Sequence, residues 1–385
     1  MRKISLAILK RFGVYWLGAG SWYIYKEPVL YLYSLFLIMT HKKLKIILTV
    51  DPEIPVPPLY YGGIERIVYM LVCGLAERGH QVHLFAHPDS KVPAKVIPYR
   101  GRRSQSLWDT LSNILQVQSY VGEIKGADVI HSFGRLAYLL LLMQSPIPKI
   151  QSYQRQIAPR SIRLGSWLAG KGITFTACSR YCASTADFAG GSWEIIPNGV
   201  MLEKYEFNPS VPADAPLVFL SRIERIKGAH TAIAVAKKAG RRLIIAGNYL
   251  LEGEGYKYFC QEVLPHCDNE TIKYIGAVDD EQKNKLLGSA AAMLFPVEAD
   301  EPFGIVMAEA LACGTPVIAS RRGAVPEVVE DGINGFICNS QEEMIDAVYR
   351  IKDIDRKSCR DIAEERFSAE VIVAKYLQLY ERLIT

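Results

Sequence analysis

The chain has 385 residues, 50% of them hydrophobic, and a formal net charge of +5 at pH 7. That length exceeds one average domain and supports two cores of ordinary size. The charge is uneven: residues 1–40 carry five Lys or Arg against one Glu, residues 41–195 carry 18 basic against 10 acidic side chains, and the remainder is −7. A basic front half fits an anionic acceptor or an anionic membrane surface. Zinc-finger spacing, an aromatic RNA-binding motif and a concentrated basic helix are all missing, which argues against a nucleic-acid partner. The eight cysteines are scattered, several in apolar runs, as reduced core residues of a cytosolic protein would be. Cys260, His266 and Cys267 lie close together but lack the paired spacing of a zinc site.

Residues 1–40 stand apart. Val14 to Trp22 and Pro28 to Met39 are apolar and aromatic, with Lys26 and Glu27 between them. Neither run reaches about 18 uninterrupted apolar residues, and no small-residue cleavage site follows. Three readings stay open: an interfacial anchor, a hairpin-like insertion, or an upstream extension before a start at Met39.

Residues 41–196 read as a first α/β domain. Leu44 to Val50 is an apolar strand, and a proline-rich loop to Tyr61 leads to Gly62-Gly63. Apolar residues from Ile64 to Leu75 then recur at helical spacing, with Gly79 as the stop. Two glycines before a helix N-terminus allow close backbone approach to a ligand, although a plain tight turn would look the same. Gln81 to Ala86 alternates as a strand; residues 91–104, with Lys91, Lys95, Arg100, Arg102 and Arg103, read as a basic loop, either solvated or facing an acceptor or membrane. His131 ends the strand run Asp128 to His131, where a lone His is either structural or functional. Thr174 to Ser179 and Trp193 to Pro197 are further short strands.

A second domain, residues 197–367, opens after the turn Pro197-Asn198-Gly199-Val200, with Leu217 to Leu220 as its first strand. Arg222 and Lys227 follow on one loop, a planar fork and a point charge suited to a diphosphate. Leu243 to Ala246 leads to the turn Gly247-Asn248, and Ile272 to Ile275 is the next strand. Ala290 to Val297 is a nearly all-apolar strand, the loop Glu298 to Gly304 follows, Ile305 to Ala312 is a helix closed by Gly314, and Thr315 to Ala319 is a strand. In a doubly wound sheet such a loop lies at the ligand edge, and the amides of Phe303, Gly304 and Ile305 open the helix toward it. Glu301 and Glu309 suit hydroxyl donors. On continuous helix they would stand about 12 Å apart along the axis and about 80° apart around it. Glycosidase carboxylates sit roughly 5 to 9.5 Å apart, so this pair fits binding better than hydrolysis. Residues 368–385 form a last helix.

The run Glu301-x7-Glu309, within EPFGIVMAEALACGTPVIAS, resembles the signature of the glycosyltransferase family 4 retaining enzymes, and the resemblance extends from about Lys42 onward. It implies the GT-B fold: two Rossmann-like doubly wound domains facing a cleft, with the C-terminal helix crossing back to the first. It implies that Glu301 and the Phe303 to Ile305 amides hold a donor sugar and its diphosphate, that Glu309 binds ribose hydroxyls, and that Arg222 and Lys227 clamp the diphosphate. Gly62-Gly63 would face that diphosphate across the cleft, with Gly247 also on the donor side, and His131 would contact the sugar. Ser221 replaces the family's usual glycine before the arginine, and Ser132-Phe133-Gly134 departs from the second His often found after the first.

The implied activity is retaining transfer of a hexosyl unit from a UDP or GDP sugar to a glycan or lipid-linked acceptor. It would need neither metal nor cofactor and would take place in the cytoplasm, with the inner face of a membrane as a candidate partner. A catalytically silent nucleotide-sugar-binding protein is the alternative. Dinucleotide chemistry fits less well, because Gly18-Ala19-Gly20 has Tyr23 where a third glycine belongs, and His80 stands where a P-loop needs Lys.

Overall fold

A computed structural model describes residues 14–17, 21–24 and 42–385, apart from 61, 125, 187 and 188. The chain divides into two units, residues 1–44 and 45–385. In the first, β1 (Val14–Leu17) and β2 (Ser21–Ile24) pair antiparallel, with Val14 opposite Ile24. The rest of the proposed anchor or extension, including Pro28 to Met39, lies outside the described residues.

The second unit holds two parallel sheets. Strands β3 (Lys45–Thr49), β4 (Gln81–Ala86), β5 (Lys95–Pro98), β6 (Val129–Ser132), β7 (Lys149–Tyr153), β8 (Ile173–Ala177) and β9 (Ser192–Ile195) build one sheet. Its order is β5-β4-β3-β6-β7-β8-β9. The second sheet contains β10 (Leu217–Leu220), β11 (Leu243–Ala246), β12 (Ile272–Tyr274), β13 (Ala292–Phe295), β14 (Val317–Ser320) and β15 (Gly335–Cys338), in the order β12-β11-β10-β13-β14-β15. Both orders reverse direction beside the first strand, the doubly wound pattern that opens a crevice beyond the strand ends. The central strands are apolar throughout because helices cover both faces: Ala292, Met293, Leu294 and Phe295 are all buried.

The helices that matter for function are α1 (Gly63–Glu77), α2 (Leu107–Glu123) and α3 (Pro159–Ala169) in the first lobe. In the second lobe they are α4 (Ala229–Lys238), α5 (Asp280–Gly288), α6 (Ile305–Ala312), α7 (Gln341–Arg350) and α8 (Arg356–Phe367), with α9 (Ala369–Ile384) last. The α6 span coincides with the sequence reading, and Gly314 beyond it takes φ 79°. The basic stretch 91–104 is a correction: it contains strand β5, whose His83 to Lys95 and Phe85 to Ile97 pairs make it an edge strand ending at Pro98. A buried Ile97 repays the pairing, and a proline is tolerated only at such an edge.

The two lobes are joined where the chain crosses twice. Val200 N–H donates to Phe367 O at 2.8 Å and Ala369 N–H donates to Val200 O at 2.9 Å, so both crossings are stitched together. Helix α9 then returns to pack on α1 in the first lobe. Elsewhere between the lobes, Glu327 accepts the amides of Arg180 and Tyr181, each at 2.8 Å, and Ser179 Oγ donates to Pro302 O at 2.6 Å. Among the described residues, no helix is long and apolar enough to cross a membrane.

Candidate active site

The cleft of about 240 Å³ between the lobes is lined by Gly62, Gly63, Arg222, Lys227, Gly247, Glu301, Gly304, Ile305 and Glu309. All but Glu309, which lies one turn into α6, come from a loop or helix start at the carboxyl end of a strand. Gly62 and Gly63 open α1, while Gly304 caps α6 at φ 76° and Ile305 begins it. The first amides of a helix have no intrahelical acceptor, so two positive helix ends meet across this cleft. The approach is close: a Cβ on Gly63 would lie 3.4 Å from Ile305 Cδ1.

Arg222 and Lys227 follow β10. The turn that holds Lys227 requires glycine next, because Gly228 has φ 77° and a Cβ there would sit 2.0 Å from Pro296 O. Gly247 allows the same kind of approach, since its Cβ would come within 1.7 Å of Ser221 O. Lys227 Nζ donates to Glu301 Oε2 at 2.6 Å, and Arg222 pairs with Glu224 at 2.6 Å. Both cations therefore sit at the cleft wall with carboxylates beside them.

Glu309, on α6, is 6% exposed and accepts two hydrogen bonds on one oxygen. Lys283 Nζ donates to Oε1 at 2.5 Å and the Tyr205 hydroxyl donates to the same atom at 2.6 Å. Burial, with Glu309 beside it, raises Tyr205 well above the usual phenol value, so it remains a donor. Lys283 also lies 3.5 Å from Asp280, which Arg66 of the first lobe reaches at 2.5 Å and Lys204 at 3.4 Å. Burial opposes ionisation of Asp280, but Lys283, Arg66 and Lys204 outweigh it and hold its carboxyl below the ordinary value. This network ties the Glu309 carboxylate to the opposite lobe.

Two predicted residues lie elsewhere. The Phe303 side chain is buried edge-on against Phe367, so only its backbone is available to the loop. His131 is a correction: it does not line the cleft. It is fully buried, with Nδ1 2.7 Å from the Tyr380 hydroxyl of α9 and Nε2 2.6 Å from Ser152 Oγ, which is itself 2.5 Å from Thr176 Oγ1. Both ring nitrogens are engaged within the protein, and burial pushes its pKa down to about 3. Sequence reasoning overlooked Arg66, Tyr205, Asp280 and Lys283. Lys283 could have been found, because it stands three and four positions before Leu286 and Leu287 and so shares their inward face on α5.

The family model for glycosyl transferases group 1 matches residues 203–367, and that for Glycosyltransferase Family 4 matches residues 61–204. The chain belongs to the group 1 glycosyltransferases. Mycobacterium tuberculosis glycogen synthase is 32% identical over 187 residues, 45% of this chain and 43% of that protein. The chain thus spans about half the length of the first curated relatives it matches. Escherichia coli O-antigen chain mannosyltransferase C is 22% identical over 363 residues, covering 85% of this glycosyltransferase and 96% of its own length. The GT-B fold is shared with solved structures. Sucrose-phosphate synthase from Thermosynechococcus elongatus superposes with a TM-score of 0.74 at 21% identity, over 88% of this chain and 99% of that one. Anabaena HepE in complex with UDP and glucose superposes at 0.69 and 21% identity, over 88% and 100%.

Proposed function

We propose that this glycosyltransferase moves a hexosyl unit from a UDP or GDP sugar to a glycan or lipid-linked acceptor, with retention of anomeric configuration. The observation that carries the reading is the convergence of Arg222, Lys227 and the N-termini of α1 and α6 on one cleft. Such an arrangement suits a diphosphate. The cleft carries HepE-like GT-B architecture, and that neighbour was solved with UDP and glucose. Glu309 would take ribose hydroxyls through Oε2, since both of its hydrogen bonds within the protein go to Oε1. Glu301, beside Lys227, would accept from a sugar hydroxyl.

Catalysis is electrostatic in this reading. Negative charge grows on the departing diphosphate, and Arg222, Lys227 and the amides at Gly304 to Val306 stabilise it without a metal ion. A leaving phosphate oxygen takes the acceptor's proton on the same face of the sugar, so no side-chain nucleophile is needed. The glycan or lipid-linked acceptor enters from the first lobe, and the work takes place at the cytoplasmic face of a membrane.

A thermal-shift panel of UDP, GDP, ADP and NAD, run with a chelator, tests the donor site. One nucleoside diphosphate should stabilise the protein, and Arg222→Ala should abolish the shift. A response confined to NAD would overturn the reading. Nucleotide binding without turnover on any sugar nucleotide would leave a silent binding protein.

A further inference from the structure

Arg66, one turn into α1, holds two partners on one planar fork. Its Nη1 donates to Asp280 Oδ1 of the second lobe at 2.5 Å, and its Nη2 donates to Tyr60 O of its own lobe at 2.8 Å. Tyr60 stands two positions before Gly62, so the guanidinium ties the segment entering Gly62-Gly63 to the first residue of α5. Tyr60, Gly62, Gly63 and Arg66 all line the cleft.

That segment has little room to move independently. Gly62 takes φ 152°, and a Cβ there would lie 2.7 Å from Pro58 Cβ, so the chain folds tightly back on its proline loop. Where Tyr60 goes, Gly62 and Gly63 follow. No side chain caps α1, and its first intrahelical bond runs from Arg66 N–H to Gly62 O at 3.1 Å. The amides of Gly63 and Ile64 precede that bond and are left for a ligand.

Asp280 is the anchor on the other side. It gathers Arg66 from the first lobe, Lys204 from the segment that crosses between the lobes at 3.4 Å, and Lys283 from its own helix at 3.5 Å. Lys204 also lies over the Tyr69 ring of α1, 5.1 Å from its centre, and Lys283 in turn holds Glu309. The Arg66 and Asp280 side chains are 19% and 37% exposed, so their pairing adds little to stability. What it fixes is the separation between the Gly62-Gly63 loop and the wall that carries Lys283 and Glu309. Such a site depends on that separation: donors must stand about 3 Å from the charge they stabilise, and a displacement of about 1 Å can cost about a hundredfold in rate.

We propose that Arg66 is a positioning residue: held by Asp280 across the cleft, it sets the Gly62-Gly63 amides against the diphosphate of the donor. The inference rests on the donor-site reading above and adds to it a residue that acts through the loop.

Calorimetry on the full chain with UDP and UMP, and with GDP and GMP, tests it without needing the acceptor. Wild type should prefer one diphosphate over its monophosphate. Arg66→Ala should reduce that preference at least about fivefold, the worth of a hydrogen bond to a charged group, while monophosphate affinity stays within about twofold. Asp280→Asn should reduce the preference equally, although Asp280 does not itself line the cleft. The double variant should lose no more than either single one, because both act through one contact. Arg66→Lys, a point charge that reaches one partner but not both, should fall between. Asp280→Asn keeps the side-chain volume and carries the test alone where Arg66→Ala fails to fold. An unchanged preference in Asp280→Asn would overturn the proposal, as would additive losses in the double variant. A wild type that binds neither UDP nor GDP would overturn the donor reading and this inference with it, whereas a preference that survives all the variants would overturn this inference alone.

Discussion

Lys283 and Glu309 form an ion pair at 2.5 Å with side chains 8% and 7% exposed, in the wall of the cleft between the lobes. A pair so buried holds its geometry firmly, and removing one partner leaves an unneutralised charge in a poor solvent. Lys283→Met should therefore lower unfolding free energy by about 3 kcal/mol. Adding Glu309→Gln to it should recover part of the loss, because the stranded carboxylate is gone. Urea unfolding of the two single variants and the double variant measures this, and a Lys283→Met midpoint equal to wild type would contradict it.

Glu309→Gln alone asks a different question. The amide keeps an oxygen for Tyr205 and Lys283 but loses acceptor strength toward a ligand. A donor KM raised roughly tenfold, with kcat nearly kept, is the expected result of losing ground-state binding. Steady-state kinetics over a donor series reads it, and unchanged KM removes Glu309 from the donor site.

The contact of Lys227 with Glu301 at 2.6 Å yields a test of the clamp. Lys227→Ala should lower kcat at least about tenfold if, as proposed, its charge acts on the leaving diphosphate. The double variant with Glu301→Gln should show a coupling of roughly 1 to 3 kcal/mol in kcat/KM. Additive effects would mean the two side chains serve separate steps.

Gly63→Val probes the cleft width. The backbone of α1 accepts a side chain at this position, but the new methyl groups would project toward Ile305, whose Cδ1 stands only 3.4 Å from where the Cβ would sit. We expect kcat/KM to fall at least about tenfold, with a melting temperature within roughly 4 °C of wild type. Thermal melting and donor kinetics on one preparation separate the two effects.

His131 has a pH signature. Its folded pKa of about 3 lies below the unfolded value of about 6.5, so above pH 6.5 both states are neutral and the group contributes no pH dependence. As pH falls from 6.5 toward 3, the unfolded chain binds a proton that the native chain does not, and stability declines by up to about 1.4 kcal/mol per pH unit. His131→Asn should flatten that slope by up to one proton while leaving donor KM within about twofold. Denaturant titrations between pH 7 and 4 measure the difference.

What could be read from sequence was local. Arg222 and Lys227 lie on one loop, Gly62-Gly63 is a dipeptide, and Glu301 to Glu309 spans one loop and one helix, so each appears as a short pattern and all reach the cleft. Strands β10 and β11 and helix α6 coincide with their apolar runs because each is punctuated by charge or glycine. What could not be read was distant. The partner of His131 on α9 is 249 positions away, and the Arg66 to Asp280 bridge spans 214. Nothing in a local pattern says that a histidine at a strand end will be closed over by a helix from the other end of the chain. The strand within residues 91–104 was hidden by its Lys95 and Pro98, which suit an edge.

The bond from His131 to Tyr380 also orders events in the life of the chain. Strands β3 to β9 leave the ribosome long before α9 does, and until α9 arrives the imidazole lacks its hydroxyl partner and the α1 face lacks its cover. The nascent first lobe must therefore wait, with apolar surface open, while the entire second lobe is made. In this protein the lobe synthesised first is completed last.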